Sequence, residues 1–472
     1  MIVKARAPFL VSAACATLVL VLSSALARAQ SKVEAVPNAG PADQPDFARA
    51  TPQATDDTQL KQVIVFGRHS VRSPVAPISL LNTFSVQPVP DFGVQQQAGI
   101  LTANGRALET ILGGYYRLWL THEGVLTGDD AADAKLVYFR ANVIERTIDS
   151  AKAFWTGFLP AAAENVQFLT PSTARDPLFE PVGAGVAHLD QQKAIAAVMG
   201  RLGGNPQSLA AAYAPELGLA RSILFGYPAG ESPAPPTPED KADVTAIPFA
   251  VTPGTNGAPV DLGGLGMIGM AVDPFIMEYA DGMPLDEVGW GQLTAGGIAQ
   301  TSRLYVLSLD LEFRTPYLDR AQSSNLASHV VRSMLQAATG SAETGSLGNP
   351  ATKAIVLIAS DVEITGLAGL FRLDWILPGY PANYCAPGGA LVFELRQSRR
   401  TGEYFVRASY VAQTLDQLRN RAALTLDAPP ASAPIFIPGC SLTNTRFDCP
   451  LANFLTAAQR AIDQRSADLT NY

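Results

Sequence analysis

The chain predicts an α/β fold, a mixed and mainly parallel sheet flanked by helices, and three stretches carry that expectation. Val63–Phe66 and Ala354–Ala359 are apolar, rich in β-branched residues and of strand length, as expected of strands covered on both faces. Each run stops at a polar cluster, RHSVRSP after the first and Ser360-Asp361 after the second. The third stretch, KLVYFRANVIERTIDSAKAFWTGFL, reads as strand, turn and helix. Strands of an open α/β sheet deliver their ligand-binding loops beyond their carboxyl ends, so all three turns are candidate site positions.

Taken in order, residues 1–29 resemble a signal peptide. Lys4 and Arg6 precede an apolar run from Phe9 to Leu22, and Ala27-Arg28-Ala29 supplies a small-x-small cleavage site. The run is short for a membrane span and is followed by Ser23 and Ser24, so export to the periplasm or secretion is expected, with no membrane contact after cleavage. Residues 30–59 are rich in Ala, Pro, Asp and Gln and read as a flexible leader. The fold is expected to start near Leu60. Beyond the RHSVRSP loop, Thr102 or Asn104 is placed to cap a helix. Residues 188–304 are helical in pattern and interrupted by the proline-rich GYPAGESPAPPTPEDKAD, which suits neither helix nor central strand. After the 354–359 strand, VFELRQSRRTGEYFVRASYVA alternates around an Arg-Thr-Gly turn, as a β-hairpin does.

Composition narrows the function. Hydrophobic residues make up 47% and charged residues 16%, so the chain can bury a sizeable core, and a formal net charge of −8 argues against a nucleic-acid partner. The four histidines are His69, His122, His188 and His329, scattered and without ligand spacing, so no metal or other cofactor is expected.

The chemistry lies in Arg68, His69 and Arg72. An imidazole between two guanidiniums is an anion site with a nucleophile built in: guanidinium forks match phosphate oxygens, and a neutral ring nitrogen can carry a phosphoryl group transiently. In isolation the same residues also fit a basic surface loop. Placed after an apolar strand, however, R-H-x-x-R-x-P resembles the signature of the histidine acid phosphatases, the branch of the histidine phosphatase superfamily that holds acid phosphatases, glucose-1-phosphatases and phytases. Ser70 stands where the common form has glycine.

The resemblance runs from about Gln62 to Gln464. It implies a phosphomonoester hydrolase, phytase-like or acting on sugar phosphates, with a small-molecule substrate and a phosphohistidine on His69. It implies that Arg146, in the E-R-T turn, completes the phosphate pocket with Arg68 and Arg72. It implies that Asp361 donates the leaving-group proton, and that Ser360 occupies the place of the family's second histidine. A lysine common in phytase-like relatives just beyond R-x-P is replaced by Val75-Ala76-Pro77. The α/β domain is expected over 60–187 and 305–472, with a smaller, mainly α domain inserted at 188–304. FIMEYADGMPLDEVGWG resembles the phytase-like group and offers Glu278 and Met283 to the substrate pocket, although Glu278 equally suits a structural carboxylate. Arg314 either adds charge to the pocket or pairs at a helix end. Cys440 and Cys449 bracket a polar loop ahead of the last helix, where a short-range disulfide fits, and the same pair recurs in the phytase-like relatives. Cys385 is left over, as a quiet half-buried thiol or, alternatively, one half of an intermolecular bridge. The departures at Ser70 and Ser360 keep open a second function, a phosphoester-binding protein with weak or lost turnover. Oligomeric state is not legible.

Overall fold

The computed structural model describes residues 56–170, 175–228, 230–231, 234–255 and 257–470. The signal-like stretch 1–29 and most of the leader, 30–55, lie outside the described residues.

The elements follow in chain order: β1 (Thr58–Arg68), α1 (Ala103–His122), β2 (Val137–Ala141), α2 (Glu145–Phe158), α3 (Gln191–Arg201), α4 (Ala214–Phe225), β3 (Phe249–Pro253), β4 (Val260–Gly263), α5 (Gly264–Ala280), α6 (Ala295–Phe313), α7 (Pro316–Thr339), β5 (Ala354–Ala359), α8 (Asp361–Phe371), β6 (Ala390–Ser398), β7 (Tyr404–Ala412), β8 (Ala431–Ile435), β9 (Cys449–Pro450) and α9 (Leu451–Ala461), with shorter helical turns between. The main sheet has the order β2-β5-β1-β6-β7-β8, with β9 also paired to β7. It is mixed and flanked by helices, as expected. Strands β2, β5 and β1 run parallel, with Arg68 in register with Ala359 and Ala141 with Ile358. Strands β6, β7 and β8 continue it antiparallel, the 390–412 segment forming the expected hairpin.

Both faces of the sheet are covered, which explains the unbroken apolar runs. Val63 and Val65 of β1 pack with Tyr116 of α1 and Phe154 and Phe158 of α2. Ile64 and Phe66 point the other way, toward Leu326 of α7, Ile364 and Leu367 of α8 and Phe454 of α9. Thr102 caps α1 by accepting from Gly105 N at 2.9 Å. A further core joins Ile223 of α4, Phe249 and Leu262 of the β3–β4 hairpin, Ile268 and Phe275 of α5 and Leu311 of α6, reaching as far as Leu318. This inserted region is mainly helical, and α6 runs unbroken across position 304. Cys440 and Cys449 form a disulfide with Cα atoms 5.1 Å apart, and Cys385 is free and buried. Among the described residues no helix is long and apolar enough to cross a membrane.

Candidate active site

The three adjacent parallel strands end side by side, and each delivers one part of the site. His69 follows β1, and its backbone N–H donates to the Ala359 carbonyl of β5 at 2.9 Å. Ser360 and Asp361 follow β5, Ser360 as the residue before α8 and Asp361 as its first helical residue. Arg146 lies in the first turn of α2, just past β2. Positions some 290 residues apart in sequence thus meet because β5 lies between β2 and β1.

His69, Arg72, Arg146, Ser360 and Asp361 all line one cavity of about 690 Å³. His69 is buried, and its Nδ1 lies 2.8 Å from the Ser70 carbonyl oxygen. A carbonyl only accepts, so Nδ1 carries the proton and Nε2 keeps a lone pair. Burial, then the charges of Arg146, Arg68 and Arg72, hold the His69 pKa well below the ordinary histidine range. Burial and the neighbouring cations therefore favour the neutral ring, the form in which an imidazole nitrogen can attack an electrophile. The loop carrying His69 is held by Ser150 of α2, whose hydroxyl accepts from Ser70 N at 3.1 Å.

Asp361 accepts from the Tyr305 hydroxyl at 2.8 Å and pairs with Arg68 Nη2 at 2.6 Å, both on Oδ2. Burial works to raise its pKa. Arg68, Arg72, the Tyr305 hydrogen bond and Arg146 outweigh burial and hold the carboxyl below its ordinary range. Arg72 Nη1 lies 2.9 Å from Asp273 Oδ2 in a buried ion pair. Ser360 is almost wholly buried and its hydroxyl has no partner, while its backbone N–H donates to Glu363 at 2.9 Å. Arg146 has only a long bond, 3.4 Å, to the Gly99 carbonyl, and its Nε is unpartnered. Two guanidiniums, one hydroxyl and one bare imidazole nitrogen thus face a common space, which suits a tetrahedral dianion.

Arg68 departs from the expected arrangement. It does not line the cavity but is fully buried behind it, with Nη1 donating to the Cys385 carbonyl at 2.6 Å. The reason is parity: as the last residue of β1 it points to the same face as Ile64 and Phe66, under α8. Its partner is Asp361, and its part in the site is to hold that carboxylate.

Glu278, Met283 and Arg314, the residues offered to the substrate pocket, fall outside the cavity lining. Glu278 is buried, accepting from Gly289 N at 2.8 Å, with its carboxyl pushed up to about 8 by burial. Met283 packs in the main core. Arg314 pairs with Asp310 at 3.4 Å and Asp374 at 2.6 Å, the helix-end alternative. His329 is also structural, both ring nitrogens lying within 2.9 Å of backbone carbonyls. Among the described residues no group of three or more His, Cys, Asp or Glu is placed to hold a metal ion.

Sequence reasoning missed Asp273 and Tyr305. The first was detectable as a lone carboxylate inside the apolar helix MAVDPFIM of α5; nothing in the sequence marks Tyr305.

The fold and site together are those of a phosphomonoester hydrolase. Residues 59–216 match the model of the histidine phosphatase superfamily, branch 2. It is 27% identical over 412 residues to phytase AppA of Escherichia coli strain K12, covering 87% of this chain and 93% of that one. It is 26% identical over 421 residues to the glucose-1-phosphatase of Providencia rettgeri, covering 89% and 95%. Among solved structures, the Hafnia alvei phytase in complex with tartrate superposes with a TM-score of 0.78 at 29% identity, covering 88% of this chain and 100% of the other.

Proposed function

We propose that the chain is an exported phosphomonoester hydrolase working through a phosphohistidine on His69. The observation that carries this reading is the imidazole itself, with Nδ1 tied to a carbonyl, leaving the Nε2 lone pair free in a cavity that Arg72 and Arg146 also line. Those guanidiniums and the Ser360 hydroxyl take the phosphoryl oxygens. Nε2 attacks phosphorus; the P–O ester bond breaks, its electron pair leaves on the alcohol oxygen, and Asp361 supplies the proton. Water then attacks phosphorus, the N–P bond breaks, and Asp361 recovers a proton from that water.

Asp361 must be protonated to act as acid, yet the guanidiniums favour its charged form. A bound phosphoryl dianion offsets those cations, so the pKa of Asp361 rises when the substrate is in place. Acidic pH then suits both groups, since His69 is held neutral. Export is supported by the character of residues 1–29 and by the disulfide, a bond of oxidising compartments.

The test is rapid-quench labelling with a radioactive aryl phosphate across acidic pH. Label is expected on His69, absent from His69→Ala. Asp361→Asn is expected to slow alkyl phosphates far more than aryl phosphates, whose phenolate needs less protonation. If no label is trapped even in Asp361→Asn, His69 is not the nucleophile. The absence of one donor at position 360 favours a second reading, a phosphoester-binding protein without turnover, and clear aryl phosphate hydrolysis removes it.

A further inference from the structure

Beyond its phosphoryl end, the cavity has an unusual wall. All its cationic character lies with Arg72 and Arg146, beside the neutral His69 ring and the unpartnered Ser360 hydroxyl. Among the described residues no other arginine or lysine lines it. The remaining charged side chains are carboxylates, of which Asp261 on β4 and Glu312 on α6 form no ion pair among the described residues. Around them the inserted region contributes Val260, Leu262, Met267, Met270, Leu309 and Phe313. The nearby cations are engaged elsewhere: Arg175 with Glu180, and Arg314 with Asp310 and Asp374. Val75 lines the cavity where a cation just past the R-x-P would stand.

From this distribution, and resting on the hydrolase reading above, we propose that the cavity selects a phosphomonoester with one phosphoryl group on an apolar alcohol, in preference to a multiply phosphorylated ring. Only one phosphoryl group finds guanidiniums. Each further one would lose its water against aliphatic side chains and carboxylates with no counter-charge, a desolvation cost that nothing offsets. An apolar alcohol instead buries its surface against Leu262, Leu309 and Phe313, and the two methionines adapt to its shape. Burial, helped by Asp261, pushes the Glu312 carboxyl up to about 8. In acid it is therefore neutral, and the wall is compatible with an apolar group but offers a polyanion nothing.

The experiment compares 1-naphthyl phosphate with inositol hexakisphosphate, by kcat/KM in the parent and by calorimetric binding to His69→Ala, which removes the nucleophile. His69→Asn serves if the first variant fails to fold. The naphthyl ester is expected to lead at least about tenfold in both measurements, and Glu312→Lys to narrow that ratio by about tenfold, the equivalent of ~1.4 kcal/mol. Hexakisphosphate binding or reacting as well as the naphthyl ester overturns the proposal. So does binding of neither ester, or a ratio that Glu312→Lys leaves unmoved. Absence of turnover on both esters, with the expected order of binding, refutes the hydrolase reading and leaves the selectivity standing.

Discussion

Ser360 is a small residue at a demanding position: it precedes α8, its backbone is held by Glu363, and its unpartnered hydroxyl borders the phosphoryl space. Ser360→His is expected to replace the short hydroxyl with a longer ring N–H donor that reaches charge developing in the transition state. A preorganised donor of that kind is worth up to about 10²–10³ in rate. The gain should fall on kcat for alkyl and aryl phosphates alike, with phosphate inhibition changed far less, because only contacts stronger in the transition state accelerate chemistry. A correctly folded variant no faster than its parent would show a pocket rebuilt around serine. The residues legible in the sequence share a property with Ser360. His69, Arg72, Arg146 and Asp361 each interrupt or follow an apolar run at the end of a strand, where polarity has no packing explanation. Tyr305 and Glu312 sit on helix α6, whose sequence is an ordinary mix of apolar and polar residues. Their role depends on which side of α6 meets the sheet, and that is decided by tertiary packing. Arg68 was legible as part of the motif but not in its placement, which depends on where β1 ends.

At the level of elements, α1 and α2 approach more closely than side chains allow. A Cβ at Gly113 would stand 2.1 Å from the Phe154 carbonyl, and one at Gly157 would stand 1.9 Å from the Thr110 carbonyl. The seam matters because α2 carries Arg146 at its start and Ser150 against the loop that holds His69. Gly157→Ala is expected to force the helices apart at about 1–3 kcal/mol, the usual cost of overpacking. It should also weaken inhibition by inorganic phosphate, since Arg146 moves with the helix. Urea unfolding read beside phosphate inhibition checks both, and an unchanged midpoint would mean that the seam yields freely. Strands β1, β2, β5, β6 and β7 and most of the helices were readable from the chain because their period and caps are local. The β3–β4 hairpin was not: it is short, its two strands are partly exposed, and it lies in a stretch dominated by helical patterns.

For the whole molecule, buried carboxyls set the dependence of stability on pH. Glu278 and Glu312 are held up to about 8, and Glu363 and Asp319 up to about 7, in each case chiefly by burial. The native state keeps protons that the unfolded chain gives up near the ordinary 4.5 and 3.8, so their contribution is full below those values and is lost as pH rises through 7 and 8. His69 and His329, held low by burial, act in the opposite sense, but that change is complete near their ordinary 6.5. Stability is therefore expected to fall from pH ~6.5 to pH ~8.5, measured as the denaturant midpoint; a midpoint that rises over that interval would contradict the burial of these groups. The sheet order has a different consequence, for biogenesis. Strand β5 fills the slot between β2 and β1, yet it leaves the ribosome only after the whole inserted region. Until then β1 also lacks β6, so neither of its edges is paired and the edge of β2 toward β5 is bare, which invites association with other chains. A fragment ending at Gly340 should aggregate and bind no phosphate by calorimetry, whereas soluble phosphate binding by that fragment would show that β1 and β2 close up on their own. The anion site is thus a late product of synthesis, and its chemistry is withheld until the last parallel strand is seated.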